Sequence, residues 1–199
     1  MLKIIDISQE VLSSVTFPGD PVPQGDRIRS MDDGECYNLS VFSMCAHNGT
    51  HIDAPFHFIR NGKTVDQISP DSFVGPCFVL HHNGEMMAED ARSALDKATA
   101  LGAGERILIA GDVTVTAESA RVFAEAGVKL IGNEGQTVGP EDGPMEVHLI
   151  LLDAEVVLLE GIVLGDIPEG KYFLSALPLN IAGFDGAPCR AYLIEGDIR

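Results

Sequence analysis

Basic side chains are scarce in this sequence: 13 lysines and arginines face 30 aspartates and glutamates in 199 residues, a formal net charge of −17. A surface this acidic repels a phosphate backbone and an anionic lipid leaflet alike, so neither nucleic acid nor a membrane is expected as a partner. No apolar run approaches the roughly 20 residues that cross a bilayer. The opening Met1-Leu2-Lys3-Ile4-Ile5-Asp6 sets an acid where a secretory leader would carry its apolar stretch. Cysteine is sparse too. Cys36, Cys45, Cys77 and Cys189 lie far apart with no C-x-x-C pair, and they read as reduced thiols of a cytoplasmic protein, most of them buried as small hydrophobes. Repeats, low-complexity runs and linkers are absent. What remains is 45% apolar and 22% charged, the mix of a globular chain with one sizeable core, expected as a single domain over residues 1–199.

Twenty-one glycines and 11 prolines divide the chain into short segments. Runs rich in β-branched residues predict strands at Leu2–Ile7, Leu39–Met44, Phe73–Leu80, Arg106–Ala110, Val128–Gly132, Val156–Leu159 and Arg190–Glu195. Ala88–Ala100 and Thr116–Ala126 predict helices, the second with Thr116 as N-cap. Strand 106–110, helix, then strand 128–132 reads as a β-α-β unit with a parallel pair. The fold class expected is α/β, a mixed sheet with flanking helices.

The densest chemistry is His47-Asn48-Gly49-Thr50-His51-Ile52-Asp53-Ala54-Pro55-Phe56-His57, with three of six histidines and one acid in eleven residues. Imidazole nitrogen and carboxylate oxygen are ligands that Zn²⁺ and Mn²⁺ both accept. The offset of six from His47 to Asp53 defeats a helical reading, and the even offsets suit an extended strand. Ten extended residues would nonetheless separate His47 from His57 by about 33 Å. The chain must therefore bend, and Asn48-Gly49 and Ala54-Pro55 are the residues to bend it around a short His51-x-Asp53 strand. One such histidine alone is more often a satisfied core or surface residue; four ligands with turns between them argue for a metal site. His81-His82, which directly follow a strand, read as surface or edge residues. Gly102-x-Gly104 is too short for a dinucleotide fingerprint.

Residues 47–57 match H-x-G-T-H-x-D-x-P-x-H at every fixed position, and the chain thereby resembles the cyclase-type metal-dependent hydrolases, a group that includes bacterial kynurenine formamidases and isatin hydrolases. The similarity extends to Ile5-Asp6-Ile7-Ser8, to Phe17-Pro18-Gly19-Asp20, to His148 with Leu151-Leu152 and Glu160-Gly161, to Ala176-Leu177-Pro178-Leu179, and to the stretch from Gly183 to Ala191. The resemblance implies a swivelling β/β/α-type fold around one or two divalent ions, Zn²⁺ before Mn²⁺. His47, His51 and Asp53 would hold one ion, His148 and Glu160 would complete the site, and His57 would be the general acid/base. Phe17 is either a loop anchor or a wall for an aromatic substrate.

The implied reaction is hydrolysis of an N-formyl or related aryl amide, as in tryptophan catabolism, by a homodimer or homotetramer acting on a small aromatic amide. Many relatives carry Asp-x-x-Ser where this chain has Asn133 and Gln136, so opening of isatin or another cyclic amide or ester is the rival activity. A non-catalytic metal-binding protein is the rival of another class, and in it His57 would have no task.

Overall fold

A computed structural model describes residues 2–196; Met1, which opens the N-terminal stretch read above, and residues 197–199 lie outside the described residues. In chain order the elements are β1 (Lys3–Asp6), β2 (Gln24–Arg29), β3 (Leu39–Ser43), β4 (His51–Asp53), β5 (Val74–His81), β6 (Gly84–Met86), α1 (Ala88–Ala100), β7 (Arg106–Ala110), β8 (Val113–Val115), α2 (Ala117–Glu125), β9 (Leu130–Asn133), α3 (Met145–Asp153), β10 (Val157–Glu160), β11 (Gly170–Ser175), β12 (Gly186–Pro188) and β13 (Tyr192–Glu195). Nine strands form one sheet in the order β1-β13-β11-β5-β7-β9-β10-β4-β12. Its centre, β5-β7-β9-β10, is parallel, and antiparallel strands flank it on both sides. This is the mixed α/β architecture expected, with β7 and β9 paired in parallel across α2.

Arg106-Ile107-Leu108-Ile109-Ala110 is buried along its whole length, as a central parallel strand covered on both faces must be. Ile107 and Ile109 face one layer with Phe78, Ile131 and Leu158, where Ala91, Ala94 and Ala98 of α1, Phe123 of α2 and Leu151 of α3 pack on them. Leu108 and Ala110 face the other layer with Ile52, Val79, Leu130, Leu159, Leu174 and Leu193. Each large aliphatic side chain so buried stabilises the fold by about 1.5–3 kcal/mol. Thr116 caps α2, its Oγ1 accepting from the Ser119 amide.

The sheet runs on beyond the expected strands. Gln24–Arg29, Gly84–Met86, Val113–Val115, Gly170–Ser175 and Gly186–Pro188 are strands too polar or too short to stand out from their neighbours in sequence. The strand expected at Val128–Gly132 begins at Leu130, because the Val128 amide instead caps the end of α2 on the Phe123 carbonyl. Burial of the thiols is less general than expected: Cys77 is buried, Cys45 and Cys189 are half-buried, and Cys36 beside the β2-β3 hairpin is exposed. His81 and His82 bond the Ile167 and Glu85 carbonyls at the sheet's rim.

Candidate metal centre

The motif folds as two bends around a three-residue strand. Gly49 takes φ +64°, a left-handed conformation that costs a residue with a Cβ, and Pro55–His57 form a 3-10 turn that starts on proline. Between them β4 pairs antiparallel with β10, placing His51 opposite Glu160 and Asp53 opposite Leu158. Ile52 points into the layer away from the helices, so strand alternation turns His51 and Asp53 to the helical side. There α3 delivers His148. The Thr50 hydroxyl donates to the Gly161 carbonyl at 2.6 Å and accepts from the Gln9 amide at 2.9 Å, fastening the motif to the end of β10.

His51, Asp53, His148 and Glu160 are all buried. His51 Nε2 lies 3.4 Å from both Asp53 Oδ1 and Glu160 Oε2, and His148 Nε2 lies 3.6 Å from Asp53 Oδ2 and 3.3 Å from Glu160 Oε1. Nδ1–H of His51 donates to the Gly49 carbonyl and that of His148 to the Pro144 carbonyl, each at 2.9 Å. A carbonyl only accepts, so these bonds fix the proton on Nδ1 and leave Nε2 as the ligating atom, the second-sphere arrangement typical of metal-binding histidines. Two Nε2 lone pairs and two carboxylates face a common centre at distances too long for good hydrogen bonds. A cation fits that donor set.

A second grouping adjoins the first. One donor atom each from His47, Asp53 and His57 lie within 4.8 Å of one another, as do those of His51, Asp53 and Glu160. Asp53 belongs to both groups, so its two oxygens could serve two ions. The structure thus brings together all six residues named from the motif and its downstream partners, with His57 in the same group as His47.

Asp185 was not anticipated. Its Oδ2 lies 2.9 Å from His47 Nε2 and 3.3 Å from His57 Nδ1, while His47 Nδ1 donates to Asp53 Oδ1 at 2.7 Å. Only its place in the Gly183–Ala191 stretch pointed to it, and a lone acid there carries no local signal. The electrostatics follow from these bonds. Burial would lower the His47 pKa, but the hydrogen bonds and charges of Asp185 and Asp53 outweigh it and hold the ring up at about 11. The same contest, with Asp53 and Glu160 as partners, leaves His51 at about 9 and His148 at about 10. Hydrogen bonding to His47 brings Asp185 down to about 2. Burial opposes the charged form of Asp53, yet bonds to His148, His47 and His51 keep it well below the usual carboxylate range. His57 shifts the other way: burial, with the positive charge of His47 and His148, lowers it against the pull of Asp53 and Asp185.

These side chains open into a cavity of about 390 Å³ whose wall includes Phe17, Asp20, Phe58, Gln136 and Thr137. Phe17 therefore stands at the site. Asn133 does not reach the cavity wall; its Nδ2 donates to the Thr137 carbonyl at 2.8 Å.

Fold and site together define an α/β protein with a buried imidazole–carboxylate centre suited to divalent cations. The chain belongs to the cyclase family: residues 5–140 match the family described as "Putative cyclase". It is 35% identical to a kynurenine formamidase of Salinibacter ruber (strain DSM 13855 / M31), over 96% of this chain and 97% of that protein. A solved structure described as a potential metal-dependent hydrolase with cyclase activity superposes with a TM-score of 0.81 at 26% identity, covering 100% of both chains. Isatin hydrolase A from Labrenzia aggregata superposes with a TM-score of 0.82 over 98% of this chain and 94% of its own; at 22% identity this likeness speaks for the fold.

Proposed function

We propose that this protein is a metal-dependent hydrolase of N-formyl aryl amines, kynurenine formamidase-like and serving tryptophan catabolism. The observation that carries the proposal is the convergence of His51, His148, Asp53 and Glu160 on one centre with both Nε2 lone pairs free. It is joined by 35% identity to a formamidase along nearly the whole chain. A divalent ion held by these residues together with His47, Zn²⁺ before Mn²⁺, supplies Lewis acidity that polarises a carbonyl and brings the pKa of water from 15.7 towards about 7.

The chain's own residues do the rest. Asp185 accepts from His57 Nδ1, which orients the ring and leaves Nε2 to exchange a proton. Because its pKa is lowered, His57 is neutral near pH 7. It takes a proton from the water that attacks the formyl carbon and passes it to the aryl nitrogen as the C–N bond breaks, giving formate and the free arylamine. Proton transfer of this kind contributes roughly 10²–10⁴-fold. Phe17 and Phe58 flank the space for the aryl ring.

Replacing His57 with Ala tests the assignment: metal content is retained and turnover falls by at least about 10²-fold. Loss of metal together with turnover would make His57 a ligand of the group it forms with His47 and Asp53; full turnover would remove it from the mechanism. Parallel assays on N-formylkynurenine and isatin decide between formamide cleavage and lactam opening.

The proposal extends to a cytoplasmic homodimer or homotetramer. The β2-β3 hairpin is exposed along both strands and carries Ile28, Leu39, Val41 and Phe42 into solvent. A two-stranded ribbon of that kind is marginal on its own in water, and a symmetric partner would cover it. Light scattering on the protein, with Val41→Asp and Phe42→Asp as dissociating variants, tests the assembly.

A further inference from the structure

Gln136 is held in the wall of the cavity with both polar atoms of its carboxamide buried and, among the described residues, without a hydrogen-bond partner. The neighbouring Thr137 Oγ1 is in the same condition. Buried polar groups are nearly always paired, and one that is not calls for an explanation. Neither side chain can readily swing away to find a partner, because their turn is pinned from four directions. The Gly161 amide donates to the Gly135 carbonyl at 2.7 Å, Ile162 N to Asn133 O at 3.2 Å, Val138 N to Glu160 Oε1 at 2.8 Å, and Asn133 Nδ2 to Thr137 O at 2.8 Å. The seat is also fitted to Gln136 from below: a Cβ on Gly161 would stand 2.5 Å from its Nε2 and would collide with the Gly49 carbonyl.

The charge around this pair selects what can meet it. Four carboxylates line the cavity, Asp20, Asp53, Glu160 and Asp185, and among the described residues no lysine or arginine does. An anionic substituent beside the scissile bond therefore finds no permanent side-chain cation. A carboxamide is uncharged, donates through Nε2 and accepts through Oε1, and the threonine hydroxyl does both.

We infer that Gln136, with Thr137, is the specificity-determining pair of this site: it hydrogen-bonds a neutral polar group, such as a ketone carbonyl, carried ortho to the amide, and it disfavours a carboxylate there. This rests on the reading of the site as an aryl amide hydrolase and adds which aryl amides it prefers. The pair touches the part of the substrate that does not react, so its effect falls on binding.

Three probes and one ligand test the inference on metal-loaded protein: formanilide, N-formyl-2-aminoacetophenone, N-formylanthranilate, and 2-aminoacetophenone, whose binding is followed by calorimetry. The wild type should prefer the ketone probe and process the carboxylate probe poorly. Gln136→Leu should lose roughly tenfold or more in kcat/KM on the ketone probe, chiefly through KM, while formanilide turnover and metal content stay within about twofold. Thr137→Val should act in the same direction, and Gln136→Asn should restore part of the loss. Equal losses on ketone and formanilide, or none on either, would overturn the inference. Should the wild type cleave none of the probes, the hydrolase reading falls by itself; 2-aminoacetophenone binding that weakens about tenfold in Gln136→Leu would still support the pair, and unchanged binding would overturn it.

Discussion

Asp185 and Asp53 hold His47 between them, one carboxylate on each ring nitrogen, at 2.9 and 2.7 Å. An imidazole that donates from both nitrogens is a cation, which is why the ring's pKa stands near 11. Replacing Asp185 with Asn removes a negative charge and leaves His47 and His57 less firmly oriented. These losses outweigh the easier deprotonation of His47, and metal affinity should fall about 10–100-fold. Competition against a chromophoric chelator measures it; an unchanged affinity would reduce Asp185 to a bystander.

Exhaustive dialysis against a chelator should abolish amide hydrolysis, and Zn²⁺ or Mn²⁺ should restore it. The same treatment should lower the melting temperature, since an ion that binds only the folded chain stabilises it by mass action. Full activity in metal-free protein, verified by elemental analysis, would dispose of the proposed chemistry.

The raised histidines give the metal-free protein an inverted alkaline profile. Groups whose folded pKa exceeds the ordinary 6.5, namely His51 at about 9, His148 at about 10 and His47 at about 11, contribute stability that is complete below 6.5 and drains away as pH climbs through 9 to 11. Asp53 and Asp185, depressed below 3.8, act at the other end and lose their contribution as pH falls, through about 2 for Asp185. Metal must displace the histidine protons, so the stabilisation gained on adding Zn²⁺ should grow with pH while the metal-free protein weakens. Melting curves between pH 6 and 10, with and without metal, should diverge. Parallel curves would contradict the assignment.

Gly161→Ala should damage fold and site together. The position has φ +66°, and an added methyl would meet the Gly49 carbonyl, Gln136 Nε2 and Gln9 Nε2. A cost of about 2–4 kcal/mol is expected from the clash and the left-handed backbone combined. Gly183→Ala, also left-handed at +79° but facing open space, should cost no more than about 2 kcal/mol. Denaturant titration of the two variants separates collision from conformation.

The sequence made the centre legible where its signals were local. Ligands and bends occur together within residues 47–57, and a three-residue strand between turns is what the even spacing required. His148 was harder. Met145–Asp153 is apolar around most of its circumference and begins at Pro144 without a side-chain cap, so neither periodicity nor an N-cap announced a helix; only the family resemblance singled it out. Asp185 reaches His47 across 138 residues of chain, a contact set by β12 pairing with β4 and written in no local pattern. β2 escaped notice for a further reason: Gln24–Arg29 is mostly polar and exposed on both faces, so the alternation that betrays a half-buried strand is missing.

The bond from the Val138 amide to Glu160 Oε1 ties the wall that would grip the substrate to a carboxylate of the cation site. Grip and charge then share one anchor. Emptying the ion site would slacken the grip as well, so a molecule stripped of its cation should lose not only its reactivity but also much of its ability to tell one aryl amide from another.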